Sequence, residues 1–294
     1  MTGIYKFQTS RLAKLALWQA RLSAPVAILS FLLMRFAGLH PSIALYCFAA
    51  AVLMATLSIL TSWAAFPGIW FKGMKGGKWL WGAFVRSLFV LLPAAVFAYF
   101  YFTTPPFSDL STNPVDPPEF TVAWQLRQDQ DNDLTIASLA EREQQALAFP
   151  ELESLEVNQP IALMQMLIAD ELAKRKWNVL RADEATENTE ESEFEASTRS
   201  IITGLVYVMS IRLRSDGEET TILDMRSASL WGPRDFGLNA GRIKSFLVDV
   251  RSRIDQGVQR YELKLEELER LRRLQQGPLP RPRPKDLGPK SSSG

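Results

Sequence analysis

Acids, arginines and hydroxyls gather most densely at Asp224, Arg226, Ser227, Ser229, Asp235, Asn239 and Arg242, in the run DMRSASLWGPRDFGLNAGRI (224–243). The run reads as a strand, a tight loop and the start of a helix. Gly232 and Gly237 allow positive φ in the loop, and Asn239 suits a helix N-cap. This spacing lets Arg226 and Arg242 approach Asp235, with Arg212 joining from a neighbouring strand. Three chemistries fit. The first is structural, a buried Arg–Asp pair that fixes the strand–helix junction, because paired charge suits so compact a turn. The second is binding of an anionic ligand or a partner's carboxylate by Arg212, Arg226 and Arg242. The third is catalysis, with Asp224 or Asp235 as base and Ser227 or Ser229 as nucleophile, a weak signature without an orienting base.

Composition removes most other chemistry. The only histidine is His40 and the only cysteine is Cys47, both in the apolar N-terminal third. The rest of the chain therefore has no disulfide, thiolate, imidazole base or Cys/His metal site, and a Ser–His–Asp arrangement is excluded. No metal and no cofactor is expected. An enzyme here would have to run on carboxylates, Lys, Tyr or Ser.

The first 103 residues contain no Asp or Glu and three apolar stretches, at about 22–39, 42–66 and 79–102. A bilayer crossing needs about 20 predominantly apolar residues. Lys6, Arg11, Lys14 and Arg21 precede the first stretch, and Lys72, Lys75 and Lys78 separate the second from the third. Positive residues favour the cytoplasmic side, so the N-terminus is predicted inside and everything past residue 102 outside. The first stretch runs into Leu39, His40 and Pro41 rather than a small-residue cleavage site, so an uncleaved anchor is expected. Arg86 lies close enough to the cytoplasmic end of the third stretch to snorkel, and no acid in any span can relay protons with it.

Nine of the 33 Lys and Arg residues fall in 1–103, leaving 24 against all 32 Asp and Glu, a balance of −8 for the remainder. A net acidic domain weighs against nucleic acid as a partner. Residues 104–119 read as a Pro-rich connector and 120–256 as an α+β domain. In that domain 120–126 alternates as a strand, 127–141 is polar loop and 160–174 is an amphipathic helix. A short strand at 177–180, an acidic turn over 182–191, and strands at 194–200, 205–213 and 220–229 follow. Consecutive strands without alternating helices predict an antiparallel sheet packed by two helices. A helix from about residue 240 continues over 257–276 with apolar residues three or four apart between charges, which suits either a partner helix or its own domain. A second copy of the chain is one candidate partner there. The alternating prolines of 277–294 predict a disordered tail.

With these elements in place, the chain resembles the bacterial domain-of-unknown-function family 1499. The resemblance rests on SDLSTNPVDPPEF (108–120), FPEL (149–152), Trp177 with Asn178 and Val179, FEAST (194–198) and the long run 224–243. It covers roughly 108–256. Ser111, Thr112 and Asn113 stand in place of the family's usual Thr-Thr-Asp, Tyr207 and Val208 in place of an acidic pair, and Leu230 in place of a common Arg. The family has no assigned reaction. The resemblance implies a membrane-anchored domain facing the periplasm of a Gram-negative bacterium.

The expected whole is a three-helix transmembrane region in the inner membrane, followed by an α+β periplasmic domain with an antiparallel sheet. Its expected partners are the lipid bilayer and a protein or anionic envelope component, bound without catalysis. A carboxylate-dependent hydrolase-like enzyme is the rival, and an assembly factor acting through the C-terminal helix is the third reading.

Overall fold

The computed structural model describes residues 8–183, 190–217 and 219–275, with side chains described as far as residue 257. The chain divides into two compact units, Met1–Leu247 and Val248–Gly294.

Three helices open the first unit: α1 (Arg11–Phe36), α2 (Pro41–Trp70) and α3 (Gly77–Thr103). All three are long and apolar enough to cross a membrane. Helix α1 differs from the apolar stretch 22–39 at both ends. It starts at Arg11 because the Ser10 hydroxyl caps it, accepting from Ala13 N–H at 3.2 Å. It stops at Phe36 because Gly38 turns left-handed at φ +71° and Leu39 N–H returns to Leu33 C=O at 3.1 Å.

Small residues form the inner seam of the bundle. Ala13, Ala16, Ala20, Ser23, Ala27 and Ser30 of α1 are buried at alternating three- and four-residue steps. They meet a similar row on α2 that includes Ala51, Ala55 and Ser58, and Ser58 Oγ donates to Ala16 C=O at 2.8 Å. Large apolar side chains point outward instead, among them Leu29, Leu53, Leu60, Trp63 and Phe89. That inversion is what a lipid solvent requires, since hydrocarbon gives no reason to hide leucine and close backbone approach supplies the packing.

The α+β part contains β1 (Asp109–Ser111), α4 (Leu139–Ala148), β2 (Leu155–Val157), α5 (Ile161–Lys174), β3 (Asn178–Ala182), β4 (Glu191–Arg199), β5 (Val206–Ser215), β6 (Thr221–Ser229) and α6 (Leu238–Gln275). The six strands make one antiparallel sheet in the order β1-β6-β5-β4-β3, and β2 also pairs with β6.

Several elements differ from expectation. The Pro-rich connector contains β1, so the folded domain begins before residue 120. Residues 120–126 do not form a strand; Ala123–Leu126 is a 3-10 turn. The expected loop 127–141 gives way to α4, whose N-terminus is a capping box of Ser138 and Glu141. Helix α6 starts at Leu238 and runs past Gly257. The side chains of its stretch 258–275, residues 184–189 of the acidic turn and the tail from 276 lie outside the described residues.

Neither face of the sheet is left wet. Strands β5 and β6 are buried almost without interruption. Side chains alternate between faces along a strand. Ser227 and Ser229 hydrogen-bond Asn239 at the start of α6, and α5 packs over β3, β4 and β5 on its buried residues Met164, Ile168 and Leu172. On the opposite face, Arg226 reaches Pro118 and Leu134, and Val208 and Ala228 cluster with Ala123 and Leu134. An irregular strap, 108–135, is therefore the second cover of the sheet.

The same unit brings the sheet against the end of the bundle where α1 stops, α2 starts and α3 stops. Trp231 Nε1 donates to Ser42 Oγ at 3.0 Å. Arg234 bonds Thr104 C=O and lies over the Tyr101 ring at 4.7 Å. Phe236, left-handed at φ 57°, sets its ring edge-on to Phe97 at 5.3 Å.

Candidate functional site

The run 224–243 does not form one cluster. Asp224 and Arg226 point to the strap face, whereas Ser227 and Ser229 point to the helix face.

On the strap face, Arg226 is 2% exposed. Its guanidinium grips Asp109 through Nε at 3.1 Å and Nη2 at 2.6 Å. It also donates to the carbonyls of Pro118, Leu134 and Thr135, and it stacks on Phe120 at 4.6 Å. Asp224, wholly buried, accepts from Arg212 at 3.0 Å, Arg214 at 2.8 Å, Asn113 at 3.4 Å and the Ser154 hydroxyl. Arg212 further holds Asp116 at 2.8 Å. Burial pulls the Arg212 pKa down, but hydrogen bonds and charge from Asp224 and Asp116 outweigh it, so the guanidinium is held more firmly charged. Neither Arg212 nor Arg226 approaches Asp235, contrary to the sequence reading, because they stand on strap-side positions of β5 and β6.

On the helix face, Asn239 is an amide hub rather than the N-cap. Its Nδ2 donates to Ser108 C=O at 2.8 Å and Ser229 Oγ at 3.1 Å. Its Oδ1 accepts from Ser227 Oγ at 2.9 Å and Arg242 Nη1 at 2.6 Å. All four hydrogen-bonding positions of the amide are used. Arg242 lies over the Tyr207 ring at 4.1 Å. Burial lowers the Arg242 pKa, partly offset by Tyr207 and Asp235, and raises that of Tyr207.

Asp235 does the capping instead, accepting the amides of Gly237 and Asn239. Burial raises its pKa above the ordinary 3.8, against the pull of those amides and of Arg242. A raised carboxyl binds its proton more readily folded than unfolded. Stability is therefore greatest below the unfolded pKa and falls as pH climbs from 3.8 through the raised folded value. Asp235→Asn should remove that slope. Thermal unfolding of variant and wild type between about pH 4 and pH 7 checks it: the difference in melting temperature should move in the variant's favour with rising pH. A pH-independent difference would remove Asp235 as the cause.

The polar atoms of Asp224, Asp235, Ser227 and Ser229 are spent on arginines of β5, on Asn113, Ser154 and Asn239, and on the amides at the start of α6. They have the geometry of a fastening, not of a nucleophile and its base. Among the described residues no group of three or more His, Cys, Asp or Glu converges to hold a metal.

The open space lies elsewhere. A cavity of 610 Å³ sits between the α1–α2 turn and the end of the sheet. Met34, Leu39 and Leu205 contribute apolar wall, and Lys176, Arg199 and Asn178 polar wall. Lys176 is left-handed at φ 55°. Neither the Lys176 nor the Arg199 side chain makes an ion pair or hydrogen bond among the described residues. His40 also lines the cavity: its Nδ1 accepts from Ser42 N–H at 3.2 Å, and its Nε2 faces Asp131 at 3.6 Å.

His40, Asp131, Lys176 and Arg199 are not among the residues that their sequence setting marks as a site. His40 was legible as the lone imidazole in a helix-capping position. The other three come from separate loops and strand ends that only the fold brings together.

A comparison with curated proteins finds no match. The family model described as "Protein of unknown function (DUF1499)" matches residues 109–250. Its start coincides with β1, the strand that brings Asp109 to Arg226. The α+β domain that follows the three apolar helices is a member of the DUF1499 family.

Proposed function

We propose that this chain is an inner-membrane protein whose DUF1499 domain faces the periplasm and binds an anionic amphiphile of the envelope without transforming it. The observation that carries the reading is the 610 Å³ cavity at the bundle end. Its volume lies within the range of small-molecule sites. One wall is apolar and continuous with the bundle, as an acyl chain needs, and the other offers Lys176 and Arg199 to an acidic headgroup. The domain otherwise carries excess negative charge, so two cations in one concavity, unpaired among the described residues, stand against the background.

The orientation follows from charge. Lys14, Lys72, Lys75 and Lys78 lie near the bundle end away from the domain, where α1 starts, α2 ends and α3 starts, and positive residues favour the cytoplasm.

Native mass spectrometry of the full chain in mild detergent, titrated with phosphatidylglycerol and phosphatidylcholine, tests the reading. Phosphatidylglycerol should bind preferentially. Lys176→Glu with Arg199→Glu should weaken it by at least about tenfold, the equivalent of 1.4 kcal/mol. Equal binding of the two lipids, or an unchanged double variant that melts like wild type, would overturn it.

A further inference from the structure

We infer that the β4–β5 turn, 200–205, is a foot that inserts into the outer leaflet of the bilayer crossed by α1–α3. Ile201 is 89% exposed and Ile202 73% exposed, two adjacent branched aliphatics at the tip of a hairpin. Water has no use for such a pair, and exposed apolar surface at a fixed place marks an interaction site.

One hydrogen bond and one close approach to Arg35 fix the depth of the turn. Arg35, in the last turn of α1, donates through Nε to Ile201 C=O at 3.1 Å. Gly204 is left-handed at φ +76°, and a Cβ there would sit 3.0 Å from Arg35 Cδ and 3.5 Å from the Arg35 backbone. The turn therefore lies directly against the end of α1. The neighbouring face of that helix presents Leu29, Leu32 and Phe36 outward, the belt on which α1 meets lipid. Ile201 and Ile202 extend this belt at the headgroup–acyl boundary, where a monotopic apolar element is most stable.

The backbone of the turn suits that boundary. Ser200 N–H donates to Leu205 C=O at 2.8 Å, and Gly204 N–H to Ser200 C=O at 2.9 Å. Thr203 N–H donates to Ser200 Oγ at 3.2 Å. A segment entering a bilayer must satisfy its own amides, and those of Ser200, Thr203 and Gly204 are satisfied within the turn. No charge interrupts 200–205. The inference rests on α1–α3 crossing the bilayer and is independent of what fills the cavity.

The test uses the full chain in phosphatidylcholine–phosphatidylglycerol vesicles, with Cys47→Ser to clear the native thiol. Ile202→Cys carries an environment-sensitive fluorophore, and Val115→Cys, at another exposed site, is the reference. The Ile202 probe should emit to the blue of the Val115 probe. It should be quenched by lipids bearing a doxyl group high on the acyl chain, and protected from aqueous iodide. Emission and iodide quenching equal to the reference would overturn the inference. So would protection from iodide without doxyl quenching, which would place a protein surface or a second copy over the turn.

Discussion

Arg226→Ala should cost about 3–5 kcal/mol, the price of stranding one partner of a buried ion pair. For a domain of this size that corresponds to an apparent melting temperature lower by roughly 6–20 °C. The guanidinium binds the Asp109 carboxylate and three strap carbonyls from a position that is 2% exposed. Its loss leaves a carboxylate with no counter-charge and three carbonyls turned toward an apolar cluster. Lysine cannot replace the fork, so Arg226→Lys should recover only part of the loss. Removing both charges in Arg226→Met with Asp109→Leu should recover more than lysine does, because the uncompensated acid disappears with its partner.

The opposite face supplies the contrast. Ser227→Ala, next in sequence, loses a hydrogen bond to Asn239 in a network that keeps its other members, and should cost about 1 kcal/mol. Thermal unfolding of the detergent-solubilised chain measures both. Equal, small shifts would mean that the strap is held by its apolar contacts alone. A large loss at Arg226 also explains why that residue is a poor probe of binding: unfolding would mimic loss of a ligand. Lys176 and Arg199 carry no such structural load and are the residues on which binding can be tested.

What the sequence made legible divides along locality. Helices with sustained apolar periodicity and the strands β4, β5 and β6 were readable because each is specified by its own residues. The face assignment of the 224–243 run lay in the parity of Asp224 and Arg226 against Ser227 and Ser229, but the sequence reading gathers them into one cluster around Asp235. Helix α4 was missed, although Ser138 followed three residues later by Glu141 is the pattern of its capping box. The 3-10 turn was not readable. Residues 120–126 alternate like a strand, and a carboxylate on β4, remote in sequence, converts them. Strand β1 was hidden for the same reason, as its three residues pair only with β6 and carry no pattern of their own. The cavity was beyond reach because the pairing of β3 with β4, Asn178 opposite Ser197, brings its two cations together, and its other wall comes from the distant α1–α2 turn.

That docking accounts for the length of the run 224–243. Its first part fastens the strap through Asp224 and Arg226, and its last part knits β6 to α6 through Asn239 and Arg242. The loop between them carries Trp231, Arg234 and Phe236 to the ends of α2 and α3. A segment with three attachments tolerates few residues at most of its positions even when none of them reacts. Its density of charge is a record of fastening, and the chemistry to look for is at the edge of what it fastens.

Glu195 is where that edge is set. Its carboxylate, 0% exposed, accepts Thr121 N–H at 2.7 Å, Val122 N–H at 3.0 Å and Ala123 N–H at 2.7 Å, along with the Thr121 hydroxyl. Three successive amides converging on one anion hold the start of the 3-10 turn Ala123–Leu126. An unsatisfied donor costs about 1–3 kcal/mol where it is buried, as at Ala123, and less where solvent reaches it, as at Thr121, so with the lost charge-assisted bonds Glu195→Ala should cost roughly 3–5 kcal/mol. Glu195→Gln keeps the shape but turns an NH2 group toward the amides, and should cost about 2–3 kcal/mol through loss of the charge-assisted bonds. The damage should be local first. Leu126, the last residue of the turn, and Gln128, just beyond it, line the cavity, so freeing the turn opens one of its walls. Hydrogen exchange followed by mass spectrometry should show faster exchange in Glu195→Gln over 119–128, with β5 protected as in wild type. Lipid binding should weaken in that variant although Lys176 and Arg199 are untouched. Faster exchange in β5 as well would make Glu195 a support of the whole sheet. Unchanged exchange at 119–128 would assign the turn to its apolar contacts, with Ala123 packed on Val208 and Ala228 as the anchor.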